Sequence, residues 1–166
     1  MTLDDLDFKI LSQLQKDSSI TNQDLAEKVH ASAPTCLRRV RRLMHAGVIE
    51  KQVAILSPAA CGQPLTAITE ITLESQASDE IEKFEHKMLA ESAVTQCYRV
   101  STGPDLVLVL VLPDMPSYHA LAHRAFTSAH KVRNVRTFFA THRSKFETRL
   151  PLKPPRGVQG RSDDKH

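Results

Sequence analysis

Arg38, Arg39, Arg41 and Arg42 put four guanidinium groups within five residues, and the chemistry of such a cluster is the holding of phosphate. A guanidinium fork also matches guanine O6 and N7, so the same residues can read a base. Short or rigid residues precede the cluster: Ser32, Pro34 and Thr35, with Asn22 further upstream. At 100° per residue, Cys36, Leu37, Val40, Leu43 and Met44 fall within an arc of about 120°. Thr35, Arg38, Arg41, Arg42 and His45 fall opposite, with Arg39 on the border. One side is expected to be core and the other a positive surface.

Other reactive residue types are scattered. His119 and His123 share an i, i+4 spacing that suits a metal pair, but no carboxylate or thiol is placed to complete it. They read as surface histidines, with no metal. Cys36, Cys61 and Cys97 fit no CxxC spacing and imply reduced thiols rather than a disulfide framework. Cys36 lies on the apolar arc and reads as a small hydrophobe. Ser101, Thr102 and Asp105 lack a nucleophile elbow, a phosphate loop or a glycine-rich fingerprint around them. Neither an enzyme nor a cofactor is implied.

The elements that must carry the arginines are legible from periodicity. Leu3, Leu6, Ile10, Leu11 and Leu14 mark a first helix, with Asp4, Asp5 and Asp7 in its first turn, where the helix dipole favours acids. Thr21 caps a second helix over 22–29. Ser32 caps the arginine helix, Pro34 sits in its first turn, and Gly47 ends it. The segment 48–56 reads as extended. This is a helix-turn-helix, winged-helix-like, over 1–56.

Ser57-Pro58 to Gly62-Gln63-Pro64 reads as a linker over 57–64. Beyond it the period alternates between two and 3.6. Strands are expected at 65–74, 94–101, 105–112 and 132–141, and helices at 79–90 and 116–129. The order β-α-β-β-α-β predicts a ferredoxin-like unit over 65–150, so the fold class is α+β. Residues 151–166 are rich in Pro, Gly and charge and are expected to form a flexible tail.

Bulk numbers agree with a packed protein of one or two small domains: 166 residues, 41% hydrophobic, net charge +3. The charge is uneven. Residues 1–27 carry −4, 28–51 carry +5, 52–120 carry −6 and 121–166 carry +8. The local basic block therefore says more than the total. The run Leu106–Leu112 is far short of the ~20 residues that a membrane helix needs, and no targeting pattern opens the chain, so a soluble intracellular protein is expected.

Leu3-Asp4-x-x-Asp7-x-x-Ile10-Leu11-x-x-Leu14-Gln15-x-Asp17 resembles the opening of the Lrp/AsnC (feast/famine) bacterial regulators. So does Asn22-x-x-Leu25-Ala26 followed by Ser32-x-x-x-Cys36-Leu37-x-Arg39-Val40-x-x-Leu43-x-x-x-Gly47-x-Ile49. Pro113-Asp114-Met115 and the layout of the second half fit as well. The resemblance spans about residues 3–150. It implies a cytoplasmic, nucleoid-associated bacterial protein, with a DNA-binding N-terminal domain joined to an αβ domain that senses an effector and oligomerises. Many members respond to amino acids. Where the family carries Gly-Asp-aromatic-Asp, this chain reads Thr102-Gly103-Pro104-Asp105. Where the family carries Leu-Pro-Gly-Val, it reads Ala129-His130-Lys131-Val132.

These residues predict a sequence-specific transcriptional regulator acting on double-stranded DNA as a homodimer or higher homo-oligomer, without a membrane. Thr35, Arg38, Arg39 and Arg42 are expected at the groove, Arg41 and Pro34 are counted with them as DNA-binding residues, and Asn22 and Ser32 lie at helix starts that suit phosphate oxygens. An amino-acid effector is expected near Ser101, Thr102, Gly103, Pro104 and Asp105. Gly103 allows close backbone approach and Asp105 can pair with an ammonium group, whereas Pro104 removes a donor. The rival readings are a nucleoid-architectural DNA-binding protein with weak sequence preference and no effector, and a metabolite-binding module whose helical half serves a protein partner.

Overall fold

A computed structural model describes residues 2–152. The described residues form two compact units: 2–54 with 145–152, and Ile55–Ser144.

In the first unit, α1 (Asp5–Leu14) starts at Asp4 with a reciprocal cap. The Asp4 carboxylate accepts the Asp7 amide at 2.9 Å, and the Asp7 carboxylate accepts the Asp4 amide at 3.1 Å. In α2 (Asn22–Val29), Thr21 Oγ1 accepts the Asp24 amide at 3.1 Å. His30 then turns left-handed at φ 55°, which closes α2 and starts the turn toward α3 (Ala33–His45). Ser32 caps α3, and Pro34 occupies its first turn, where a missing N–H leaves no helix bond unmade. Ile10, Leu11, Leu25, Ala26, Val29, Cys36 and Leu43 form the core.

Two members of the expected apolar arc do not join it: Leu37 is 41% exposed and Met44 44%. Three short helices close only on the side of α3 centred on Cys36 and Leu43. The segment 48–56 pairs with no strand among the described residues, and Val53, Ile55 and Leu56 are exposed.

Residues 145–152 also belong to this helical unit, whereas the sequence placed everything up to 150 in the αβ half. Gln15 Nε2 donates to Leu150 O at 3.3 Å, Leu150 N donates to Gln15 Oε1 at 2.6 Å, and Leu152 packs on the helical core. The tail expected over 151–166 lies outside the described residues from 153 onward.

The second unit is a four-stranded antiparallel sheet with two helices. Its elements are β1 (Leu65–Leu73), α4 (Ser78–Ala90), β2 (Val94–Arg99), β3 (Leu106–Leu112), α5 (Met115–Ala125) and β4 (Val132–Phe139), with strand order β2-β3-β1-β4. This is the ferredoxin-like arrangement. The apolar run of β3 sorts by residue type: Leu106, Leu108, Leu110 and Leu112 are buried, while Val107, Val109 and Val111 on the opposite face are half-buried. That opposite face also carries Ile68 and Phe138, cross-strand partners 42% and 43% exposed. The last helix is shorter than expected: α5 stops at Ala125, a 3-10 turn covers Ser128–His130, and Lys131 turns left-handed at φ 57°.

Candidate nucleic-acid interface

The helical unit divides the four arginines into two pairs. Arg39 points at α1, where Nη1 lies 2.6 Å from Asp4 Oδ2 and 3.0 Å from Asp7 Oδ1. Arg42 Nη2 lies 2.5 Å from Asp7 Oδ2. The Asp7 side chain is fully buried and that of Arg39 only 19% exposed, so both guanidiniums serve to neutralise a carboxylate held out of water. Arg39 Nε is buried and donates to no acceptor among the described residues. The Arg39 guanidinium, helped by the Asp7 amide, lowers the Asp4 carboxyl to about 2. The acidic first turn of α1 is therefore more than a complement to the helix dipole: it ties α1 to α3. Asp4 and Asp7 were legible as first-turn acids, but nothing local marked them as partners of residues more than thirty positions away.

Arg38 and Arg41 are exposed, and no ion pair or hydrogen bond holds either among the described residues. Together with exposed Pro34 and His45 they form the outward line of α3, opposite Cys36 and Leu43. The start of α3 is held from both sides. Asn22 Nδ2 donates to Ala33 O at 2.7 Å and locks the beginning of α2 to that of α3. Ser32 and Thr35 pair their hydroxyls at 2.8 Å. Among the expected contact residues, Pro34, Arg38 and Arg41 stand on the open face. Ser32, Thr35 and Arg42 border it, Asn22 fixes the turn, and Arg39 faces inward. Burial pushes the Cys36 thiol up, as fits a core position.

Exposed cations on a helix that is braced at its start by a turn match what a reading helix requires. A family model described as winged helix-turn-helix DNA-binding matches residues 3–50. A second model, described as the Lrp/AsnC ligand binding domain, matches residues 66–150. The chain belongs to the Lrp/AsnC family of transcriptional regulators. It is 39% identical to an uncharacterized HTH-type transcriptional regulator of Haemophilus influenzae, over 91% of this chain and 90% of that one. It is 34% identical to the leucine-responsive regulatory protein of Escherichia coli K12, over 91% and 92%. Among solved structures, a transcriptional regulator of Neisseria meningitidis in complex with L-Met has a TM-score of 0.85 at 31% identity, covering 91% of this chain and 97% of that one. An AsnC-family regulator of Agrobacterium tumefaciens has 0.84 at 34%, covering 90% and 97%.

In this Lrp/AsnC regulator the second candidate cluster splits as the arginines do. Ser101, Thr102 and Gly103 are exposed, with Gly103 at φ 89°, where a side chain would be strained. Pro104 is half-buried. Asp105 is 7% exposed, and its Oδ2 accepts the Leu73 amide at 2.7 Å, beside the register shift that ends β1. Its backbone amide donates to Ile71 O at 2.8 Å. Asp105 thus satisfies strand-end groups through its amide and one carboxylate oxygen. His119 and His123 are exposed on α5, and among the described residues no three candidate ligands converge on a metal position.

Proposed function

We propose that this regulator reads double-stranded DNA through the outward line of α3, with Arg38 and Arg41 as the base- and phosphate-binding cations. The observation that carries the reading is their exposure with no carboxylate partner among the described residues, while the flanking pair Arg39 and Arg42 is consumed by Asp4 and Asp7. Ser32 and Thr35, at the start of α3, border the phosphate path, where exposed helix amides suit anions. Binding of a genomic duplex, followed by fluorescence anisotropy against a nonspecific duplex, tests this. Specific affinity at least a thousandfold above nonspecific supports it, and equal affinity for both refutes sequence reading.

The working form is a homodimer or higher homo-oligomer in the bacterial cytoplasm, associated with the nucleoid. The sheet face bearing Ile68, Val107, Val109 and Phe138 is the surface that a second copy covers. Light scattering on Ile68→Asp/Phe138→Asp should show a smaller particle than wild type. An unchanged mass refutes that surface.

The effector is an amino acid bound by the αβ unit at the exposed Ser101–Gly103 turn. The Neisseria relative, solved with L-methionine, supports the ligand class. Asp105 stays in its strand-end role. Calorimetry with the twenty amino acids checks this, and absence of binding at millimolar concentration contradicts it.

A further inference from the structure

The outward line of α3 has unlike flanks. On one side stand Thr35 and Arg42, both engaged: the Thr35 hydroxyl by Ser32 at 2.8 Å and Arg42 by Asp7 at 2.5 Å. On the other stand Leu37 and Met44, 41% and 44% exposed. Leu37 lies in the first half of α3, next to Arg38 and one turn before Arg41. Met44 lies seven residues on, about 10 Å along the axis.

A helix that enters the major groove presents its N-terminal half to base edges. The groove floor is polar apart from one group, the thymine 5-methyl. A stable protein contact needs several hundred Å² on each side, and Val48 and Val53, exposed apolar residues of the same unit, lie beyond the end of α3, away from Leu37 in its first half. Leu37 and Met44 are also continuous with the cationic line that meets DNA. The flank with Leu37 is therefore where an apolar base edge fits.

We infer that Leu37 is a specificity-determining residue that packs against a thymine methyl beside the positions held by Arg38 and Arg41. The inference rests on α3 being the reading helix. Loss of one buried methyl group corresponds to about a fourfold change in affinity.

The test starts from duplexes selected out of a random pool by the full-length protein. Each thymine of the selected half-site is replaced singly by deoxyuridine, and Kd is measured for wild type and for Leu37→Ala. At one thymine per half-site, wild type should weaken about fourfold on deoxyuridine. Leu37→Ala should be weakened on the thymine duplex and should bind both duplexes alike. Leu37→Gln, which keeps side-chain length without apolar character, should lose the same discrimination. If Leu37→Ala melts early, Leu37→Gln and the wild-type response decide the matter. Wild type indifferent to every replacement, or variants that keep the wild-type sensitivity, would overturn the inference while leaving DNA reading by α3 intact. A pool from which nothing is retained would overturn the DNA reading itself, and Leu37's role with it.

Discussion

Arg38 and Arg41 on one side of α3, and Arg39 and Arg42 on the other, are the same residue type on the same helix in opposite service. The outer pair is exposed and makes no ion pair or hydrogen bond among the described residues, whereas the inner pair closes on a carboxylate that is completely buried. The difference comes from α1: its capping box places Asp4 and Asp7 on the side that α3 packs against. A cluster that reads as one positive patch in the sequence is thus half open surface, the half proposed to meet DNA, and half internal brace. The brace fixes the helix that carries the surface, so the two halves depend on one another mechanically while differing in what their loss costs.

The largest effect should come from the shared carboxylate. Asp7→Ala removes the capping partner of Asp4 and the carboxylate shared by Arg39 and Arg42. Arg39 keeps Asp4 and Arg42 is 43% exposed. The cost should therefore be about 2–4 kcal/mol, from the lost cap and the lost charged hydrogen bonds rather than from a stranded charge. Chemical denaturation should show it as a lower midpoint, whereas a midpoint within error of wild type would mean that α1 and α3 are held by packing alone. Next comes the outer pair. Arg38→Ala should weaken operator binding by about 1–3 kcal/mol and move stability by less than about 0.5 kcal/mol. If Arg38 reads a base, specificity at one base pair should relax. If it holds phosphate, every sequence should weaken alike and the salt slope should flatten.

The smallest effect concerns pH. Asp4 is held at about 2, against an ordinary 3.8, by Arg39 and the Asp7 amide. A depressed carboxyl contributes stability above its unfolded value, and that contribution fades as pH falls from about 4 to about 2. The contribution is modest because the Asp4 side chain is 54% exposed. Thermal melts between pH 5 and pH 2 should therefore fall slightly less steeply for Asp4→Asn than for wild type. Parallel curves would place no depressed carboxyl at Asp4.

Most of the fold was legible because its signals are local. Helix α2 occupies the residues that Thr21 and the spacing of Leu25, Ala26 and Val29 marked, and Ser32 starts α3 as its hydroxyl chemistry predicts. The β-α-β-β-α-β order followed from changes of period alone. What the sequence hid is nonlocal. A helical wheel counts Leu37 and Met44 as core, but how wide an arc is buried depends on how many neighbours close on it. The charge of Arg39 was visible, while its target lies on another helix. Asp105 read as a free carboxylate, and only the ladder's end at Leu73 shows an amide waiting for it. The return of Leu150 to Gln15 was equally invisible, since it joins residues from opposite ends of the chain.

The division of the arginines is tested most directly by two double variants, each measured for operator Kd and for unfolding midpoint at a temperature where both are folded. Arg38→Ala/Arg41→Ala should lose about a hundredfold or more in affinity with its midpoint unchanged. Arg39→Ala/Arg42→Ala should unfold well below wild type yet keep its affinity within about tenfold, since it removes at most one cation at the edge of the groove. The reverse ordering, with the inner pair decisive for affinity and the outer pair for stability, would contradict the account.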